Sequence, residues 1–390
     1  MSLQDVILQI KILGLGDIEQ TLNEAFDPPT TKNVRRAIQL MKDVKALTST
    51  EALTSLGRQL AKLPLDMWLA KLVLYGIQFT CLDVAIFVAA MLSTKSPFVE
   101  GDDSDSRATA ARLAFNKGNS DLLLTYEAYS AWRRAHKSGN AYSFCKKNFL
   151  SQSILGQIED QKCQLLVTLS DSGIISLDET EKNFLRNSRY KGWERNLYTV
   201  PRRYSLNNDN ASAVSSAIAM AFYPKLLVRE SDGWRQITNN QRPNLARTSV
   251  NHFKNKVPMS AKTMNDYSIS EPPPKWLSFY QTIQTKAKNP TVLETTAVPD
   301  FVVAILLGPE ADFKMYAGVI SLENGKIRFA VRDWTTMVAI KALRKGVQDA
   351  LARSFRAKNE TIASELDRKW LSIWQKVLDG PEKTAKSLDF

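Results

Sequence analysis

Pro64 interrupts a stretch that is helical on both sides, LTSLGRQLAKLPLDMWLAKLVLYG at residues 53–76. Proline lacks the amide hydrogen and clashes with the preceding turn, so no single helix runs through it. Thr54 is placed to cap the first helix, with Leu56 and Leu60 on one face. Asp66 is placed to cap the second, with Leu69, Leu72 and Val73 facing a core and Gly76 permitting a close approach. The chain thus contains a fixed corner between two helices, which reads as a boundary between two domains.

Upstream, Val6, Ile10 and Leu13 share a helical face, and GLGD at residues 14–17 reads as a C-cap turn. Pro28 and Pro29 form a stop, after which Val34, Ala37, Ile38, Met41 and Val44 mark a helix from Thr31. ALTSTEALT suits a short, β-like turn. Downstream the pattern stays helical over residues 65–175. CLDVAIFVAAML is apolar on nearly all sides, as the central helix of a bundle must be. Leu123, Tyr126, Tyr129 and Ala131 lie near an apolar face, so these tyrosines read as core rather than stacking platforms. FCKKNFLSQSILGQIEDQKCQLLVTL supplies a further helix. RNSRYKGWERNLYTVPRRYS, residues 186–205, is basic with interleaved aromatics and fits either phosphate contact with stacking or a solvated linker.

A helix over Ala211–Phe222 precedes PKLLV, GWRQI, KWLSFYQTI, TVLETTAV, FVVAILLG, KMYAGVI and KIRFAV. Short apolar runs separated by Gly, Pro, Asn and Asp read as strands of a small barrel or sandwich. Asn324-Gly325 in SLENGKI is a hairpin signal. Helix returns with Met337, Ile340, Leu343, Val347, Leu351 and Phe355 on one stripe, then Ile362, Leu366, Trp370, Ile373 and Val377 on another. Arg344, Lys345, Arg353 and Arg356 fall off the first stripe and read as a solvated face.

Composition narrows the chemistry. With 390 residues, 44% hydrophobic and 24% charged, the chain is long enough for several domains. Lysine and arginine number 52 against 40 acidic residues, and a net charge of +12 attracts polyanions. The longest apolar run, Val84–Leu92, falls far short of the roughly 20 residues that cross a bilayer, and no signal opens the chain, so a soluble, intracellular protein without membrane partners is expected. Cys81, Cys145 and Cys163 are widely spaced and read as buried thiols. His136 and His252 are too few for most metal clusters, and any histidine base would have to be one of them. No GxxxxGK[ST] or GxGxxG is present, and EGDDSDS lacks the glycine and distal glutamate of a calcium loop. EPPPKW suits a rigid lead-in to the Trp276 strand.

Helical corner, all-helical bundle and small barrel, in that order on a basic chain, resemble the C-terminal half of the DEAH/RHA family of RNA helicases. SLQDVILQIKILGL, FDPP with AIQLMKDVKAL, and LTSLGRQLAKLPLDMWLAKLVL resemble its winged helix and the junction beyond. CLDVAIFVAAMLSTKSPF, NSDLLLTYEAYSAW and FCKKNFLSQSIL resemble its ratchet-like bundle, so the match covers residues 2–175 closely. AMAFYPKLLV, PKWLSFYQTI, KIRFAV and IKALRKGVQDAL resemble its OB-fold barrel more loosely. The resemblance implies a multidomain α+β fold: winged helix at 1–63, ratchet-like helical domain at 64–200, OB-fold with closing helix at 201–357, and a helical extension at 358–390 that matches nothing in the family. The sequence departs from the family twice. Ala246 and Arg247 replace His-Pro ahead of Thr248, Ser249, Val250 and Asn251, and Leu293 stands where many members have an arginine.

The resemblance further implies an RNA-binding accessory module that grips single-stranded RNA and couples motor movement to translocation. Its candidate contacts are Arg247, Thr248, Ser249 and Asn251 in the barrel loop, Lys275 as a neighbouring charge, and Lys147 and Asn148 in the ratchet. Asn148 is read equally as pairing with buried backbone, and His252 as a packed or solvent-facing residue. The family's motor motifs are missing, so the chain reads as a helicase fragment without ATPase activity of its own, with ATP and Mg as cofactors of the parent helicase only. Expected partners are single-stranded RNA, the RecA-like motor domains of the same protein, and a glycine-rich-patch activator or the ribosome. MLSTKSPF and the barrel insertions resemble the large cytoplasmic members, which implies the cytoplasm, or else the nucleus. The alternative is a protein-interaction platform, which an exposed apolar groove would mark.

Overall fold

The computed structural model describes residues 3–99, 106–187, 197–231, 233–255, 274–284, 289–356 and 365–385. Helix α1 (Leu3–Ile12) ends before Gly14 and Gly16, whose φ values of 66° and 100° only glycine adopts easily. Asp17 then caps α2 (Ile18–Asn23). Helices α3 (Thr31–Asp43) and α4 (Ser55–Leu60) flank an antiparallel Leu47–Leu53 bridge, the β-like turn expected there. Thr54 Oγ1 accepts from Gly57 N at 3.0 Å and donates to Lys45 O at 2.7 Å. The corner at Pro64 follows.

Helix α5 (Met67–Gln78) begins at Asp66, whose Oδ1 accepts from Trp68 N at 2.8 Å. Helix α6 (Leu82–Ser93) is buried continuously from Leu82 to Met91. A Cβ on Gly76 would stand 2.3 Å from the Ala85 Cβ, so the two helices touch only because that side chain is missing. Helices α7 (Ser106–Leu113), α8 (Asp121–Lys137), α9 (Ala141–Lys147), α10 (Gln152–Asp171) and α11 (Glu179–Asn187) complete the bundle, with Tyr126 and Tyr129 inside it. Of the basic stretch at 186–205, residues 188–196 lie outside the described residues, as do 100–105 of the acidic run. The described end of the basic stretch is anchored: Tyr198 and Val200 are buried, and Arg203 pairs with Glu181.

Helix α12 (Ala211–Phe222) leads into β1 (Leu226–Glu230), β2 (Gly233–Gln236), β3 (Asn244–Leu245), α13 (Val250–Asn255), β4 (Trp276–Ile283) and β5 (Thr291–Val298). After α14 (Asp300–Leu306) come β6 (Ala311–Lys314), β7 (Val319–Leu322) and β8 (Ile327–Ala330), then α15 (Trp334–Ser354) and α16 (Glu365–Ala385). The first five strands pair in the order β2-β1-β4-β5-β3, the last three as β6-β7-β8. The arrangement is nearly closed and barrel-like, consistent with an OB-fold, although the strands pair as two separate sheets. Strand β4 is buried on both faces: Trp276 and Tyr280 join the large core shared with the helices, Leu277 and Phe279 a small separate core with Leu227, Trp234, Leu245 and Val292. The β7–β8 hairpin turns through Asn324 and Gly325, both at positive φ.

Three expectations need correction. FVVAILLG is helix α14, not a strand; Pro299 and Asp300 start it, and a short run apolar on every side carries no period to separate the two states. Arg344 is not solvated but 5% exposed, because its guanidinium donates to Ala304 O at 2.8 Å and Gly308 O at 2.6 Å. On α16 the buried face is rotated from the expected stripe: Leu366 and Ile373 are exposed, while Trp374 and Leu378 are buried.

The Pro64 corner is tied to the barrel as well as to the bundle. The Tyr280 hydroxyl donates to the second oxygen of Asp66 at 3.0 Å. The Lys225 ammonium lies 4.2 Å from the centre of the Trp68 ring and donates to Tyr280 O at 2.9 Å. Burial lowers the pKa of Lys225 to about 8, against the opposing pull of Asp66.

Candidate nucleic-acid interface

The barrel loop that carries most of the candidate contacts is held against the N-terminus of α8. Ser120 caps that helix, accepting from Leu123 N at 3.2 Å, and its hydroxyl also meets Thr296 Oγ1 at 2.7 Å. Asp121, in the first turn, is 2% exposed and uses both oxygens on the barrel. Oδ1 accepts from Val250 N at 2.8 Å; Oδ2 accepts from Thr295 N and Thr295 Oγ1, each at 2.9 Å. A carboxylate suits this place because the helix N-terminus presents positive partial charge. Since Thr295 gives its only hydroxyl proton to Asp121, Ser249 Oγ must donate to Thr295 Oγ1 across their 2.8 Å contact. Asn251 Nδ2 donates to Thr295 Oγ1 at 2.9 Å and to Asn119 O at 3.0 Å.

This weld sorts the loop residues. Ser249 and Asn251 are buried; Ser249 Oγ and Asn251 Nδ2 are spent inside it, while Asn251 Oδ1 is buried with no partner among the described residues. Arg247 and Thr248, held between buried Ala246 and Ser249, are exposed and face solvent. Lys275 is also exposed, lying over the rings of Trp276 at 5.2 Å and Phe329 at 5.6 Å, just ahead of β4. His252 is half-buried.

The ratchet candidates approach the same seam through a chain of contacts. The turn after α9 folds back so that Phe144 meets Phe115 at 6.4 Å and Val99 N donates to Phe149 O at 2.9 Å. Phe98 bridges Leu150, and the Arg112 guanidinium sits 5.4 Å over the Phe98 ring. Lys147 is exposed at the end of α9. Asn148 is half-buried and donates from Nδ2 to Phe144 O at 2.8 Å, the backbone pairing that was one of its two readings.

Arg112, Asp121, Glu294 and Thr295 did not stand out in the sequence. Glu294 interrupts β5 with a φ of 55°, and pairing with β4 skips it, passing from Phe279–Thr295 to Gln281–Leu293. The register is the same on both sides, so no residue is inserted and β5 is only kinked locally at Glu294. Burial, then the charge of Asp121, raises the Glu294 carboxyl to about 7, with Arg112 acting in the opposite direction. The departures from the DEAH/RHA pattern flank this arrangement, at Arg247 and Leu293.

Comparison with known proteins follows the same division. The winged-helix part of the helicase associated domain (HA2) matches residues 37–65, and its ratchet-like part matches residues 66–153. Residues 37–153 carry the winged-helix and ratchet-like parts of a helicase associated domain, and the chain is similar to DExH-box RNA helicases. Human DHX57, named as an ATP-dependent RNA helicase, is 29% identical over 360 residues, covering 88% of this chain and 25% of its own length. The human ATP-dependent DNA/RNA helicase DHX36 is 34% identical over 227 residues, or 57% of this chain and 21% of its own. The DExH-box ATP-dependent RNA helicase DExH4, chloroplastic, of Arabidopsis thaliana is 38% identical over 193 residues, 45% of this chain and 14% of its own. The chain therefore spans a quarter or less of the length of these relatives. Among the described residues, no cluster of three metal-ligating side chains occurs, and no helix is long and apolar enough to cross a membrane.

Proposed function

We propose that this helicase-associated region grips single-stranded RNA along the seam between the ratchet and the barrel, and couples movement of motor domains of the same protein to translocation. The observation that carries the reading is the loop at Arg247 and Thr248. Its flanks are fastened by Asp121 and Thr295, so a cation and a hydroxyl are presented to solvent on a rigid support. Phosphate and sugar are recognised in this way without reading bases. Lys147 and Lys275 are further exposed cations on the ratchet and the barrel. ATP and magnesium belong in this reading to the motor domains, since these residues include no phosphate-binding loop, and no step is routed through them. The cytoplasm is the proposed compartment.

The test is fluorescence anisotropy with labelled oligouridine across a salt series, with duplex RNA as competitor. Binding that prefers single strands and weakens steeply with salt is expected, and Arg247→Ala should lower the salt slope by about one phosphate contact. Absence of binding at low salt overturns the reading. A second reading, a platform for an activator protein or the ribosome, is favoured by Ile12, Leu13, Leu15 and Phe26, which are 43%, 65%, 56% and 108% exposed around α1 and α2.

A further inference from the structure

Helix α16 is fastened to three separate elements. Along α15, Asp367 takes the Arg353 guanidinium at 2.6 Å, and the Trp370 ring occupies the space a side chain on Gly346 would need, 2.2 Å from the position of its Cβ. Against α14, Trp374 is 2% exposed, with its ring 5.9 Å from Phe301. Against the segment joining the bundle to the barrel, Gln375 and Asn207 form a double amide pair, 2.7 Å from Asn207 Nδ2 to Gln375 Oε1 and 3.1 Å from Gln375 Nε2 to Asn207 Oδ1. Asn210, the cap of α12, donates to Asp379 at 3.3 Å.

Asn207 is the point where this matters. Its Nδ2 also reaches Phe79 O at 3.0 Å and Thr80 Oγ1 at 2.8 Å, and its own N–H donates to Thr80 O at 2.9 Å, all at the end of α5. The amide pair therefore joins the bundle, the connecting segment and α16 in one place. We infer that α16 is an intramolecular strap that fixes the angle of the barrel on the ratchet, with Gln375 and Asn207 as its clasp. The weld at Asp121 and the Tyr280–Asp66 tie at the Pro64 corner do not involve α16, so release of the strap leaves the barrel attached at those joints and free to move about them. The clasp is suited to release: it consists of neutral amides, which water replaces readily. The Trp374 indole N–H, moreover, is buried with no hydrogen-bond partner among the described residues, so leaving costs it nothing polar. The strap does not depend on RNA binding.

The test compares the full chain with Gly346→Leu, which occupies the Trp370 position, and with Gln375→Leu/Asp379→Leu, which removes the clasp. Amide hydrogen exchange and small-angle scattering are read on each. In both variants α16 should lose protection by about tenfold or more, the Asn207 and Asn210 amides should follow, α5 and α6 should keep their protection, and the scattering should report a broader molecule. Loosening of α16 with those two amides and the scattering unchanged would make it a passenger helix and overturn the inference. Simultaneous loss of protection throughout the chain overturns it too, because α16 would then belong to the global folding unit.

Discussion

Two buried polar networks hold this molecule, and they are built on opposite principles. Inside the bundle, Lys162 is 1% exposed and reaches Asp83 at 2.6 Å and the Tyr129 hydroxyl at 3.0 Å; Tyr126 donates to Asp83 at 2.7 Å, and Tyr129 to Glu159. Arg133 lies over Tyr129 and donates to Tyr198 O at 2.6 Å. Burial disfavours the Asp83 charge, but Lys162 and Arg133 prevail and lower its pKa. At the seam the central carboxylate, Asp121, is satisfied by backbone amides and a hydroxyl, with no ion pair among the described residues, beside a Glu294 carboxyl raised to about 7. Full charges paired within one bundle make a lock that cannot be opened in part. Neutral donors around one carboxylate make a joint between separate elements and leave the adjacent loop its outward side chains.

Breaking each network separately tests that contrast. The largest effect is expected from Lys162→Met, which leaves buried Asp83 without its ion-pair partner and should cost about 3–5 kcal/mol by denaturant unfolding. A loss below about 1 kcal/mol would remove the distinction between lock and joint. Asp121→Ala leaves the amides of Val250 and Thr295 without acceptors and should cost about 2–3 kcal/mol, with hydrogen exchange quickening at those two amides and not in α6. Ser249→Ala removes one donor from the joint and should cost about 1 kcal/mol, read as a small shift of the unfolding midpoint.

The smallest effect is a matter of pH. The Glu294 carboxyl is raised from 4.5 to about 7 in the folded chain, so between those values the folded state holds a proton that the unfolded state has lost. Stability should therefore fall as pH rises from 4.5 to 7 and level off above. Glu294→Gln should flatten that limb, its Tm exceeding that of the parent chain above neutrality by more than at acid pH. An unchanged slope would assign the pH dependence to other groups.

How much of this was legible depends on sequence distance. The caps at Thr54 and Asp66, the buried α6 and the Asn324-Gly325 turn are local patterns, and each lies where its neighbours placed it. The weld is not local. Asp121 meets Val250 across 129 positions and Thr295 across 174, so no pattern around residue 121 reveals either partner. Arg344 was misjudged for the same reason, since its carbonyl partners are 40 and 36 positions away. The face of α16 was misread because aliphatic spacing gave Leu366 and Ile373 the same weight as the tryptophans, whereas the docking surface selected the bulkier rings. Only packing separates Arg247 and Thr248, which point out, from Ser249 and Asn251, which point in.

The corner at Pro64 limits what can be exchanged between chains of this kind. Asp66 starts α5 with one oxygen and receives Tyr280 from the barrel on the other, while Lys225 stacks on Trp68 two residues away. A chimera that swaps the first 64 residues keeps this carboxylate and its barrel partner together, but one that grafts a foreign barrel onto the bundle loses Tyr280 and Lys225 at once. Recombination here has one permissive cut and one forbidden cut, set by a single side chain.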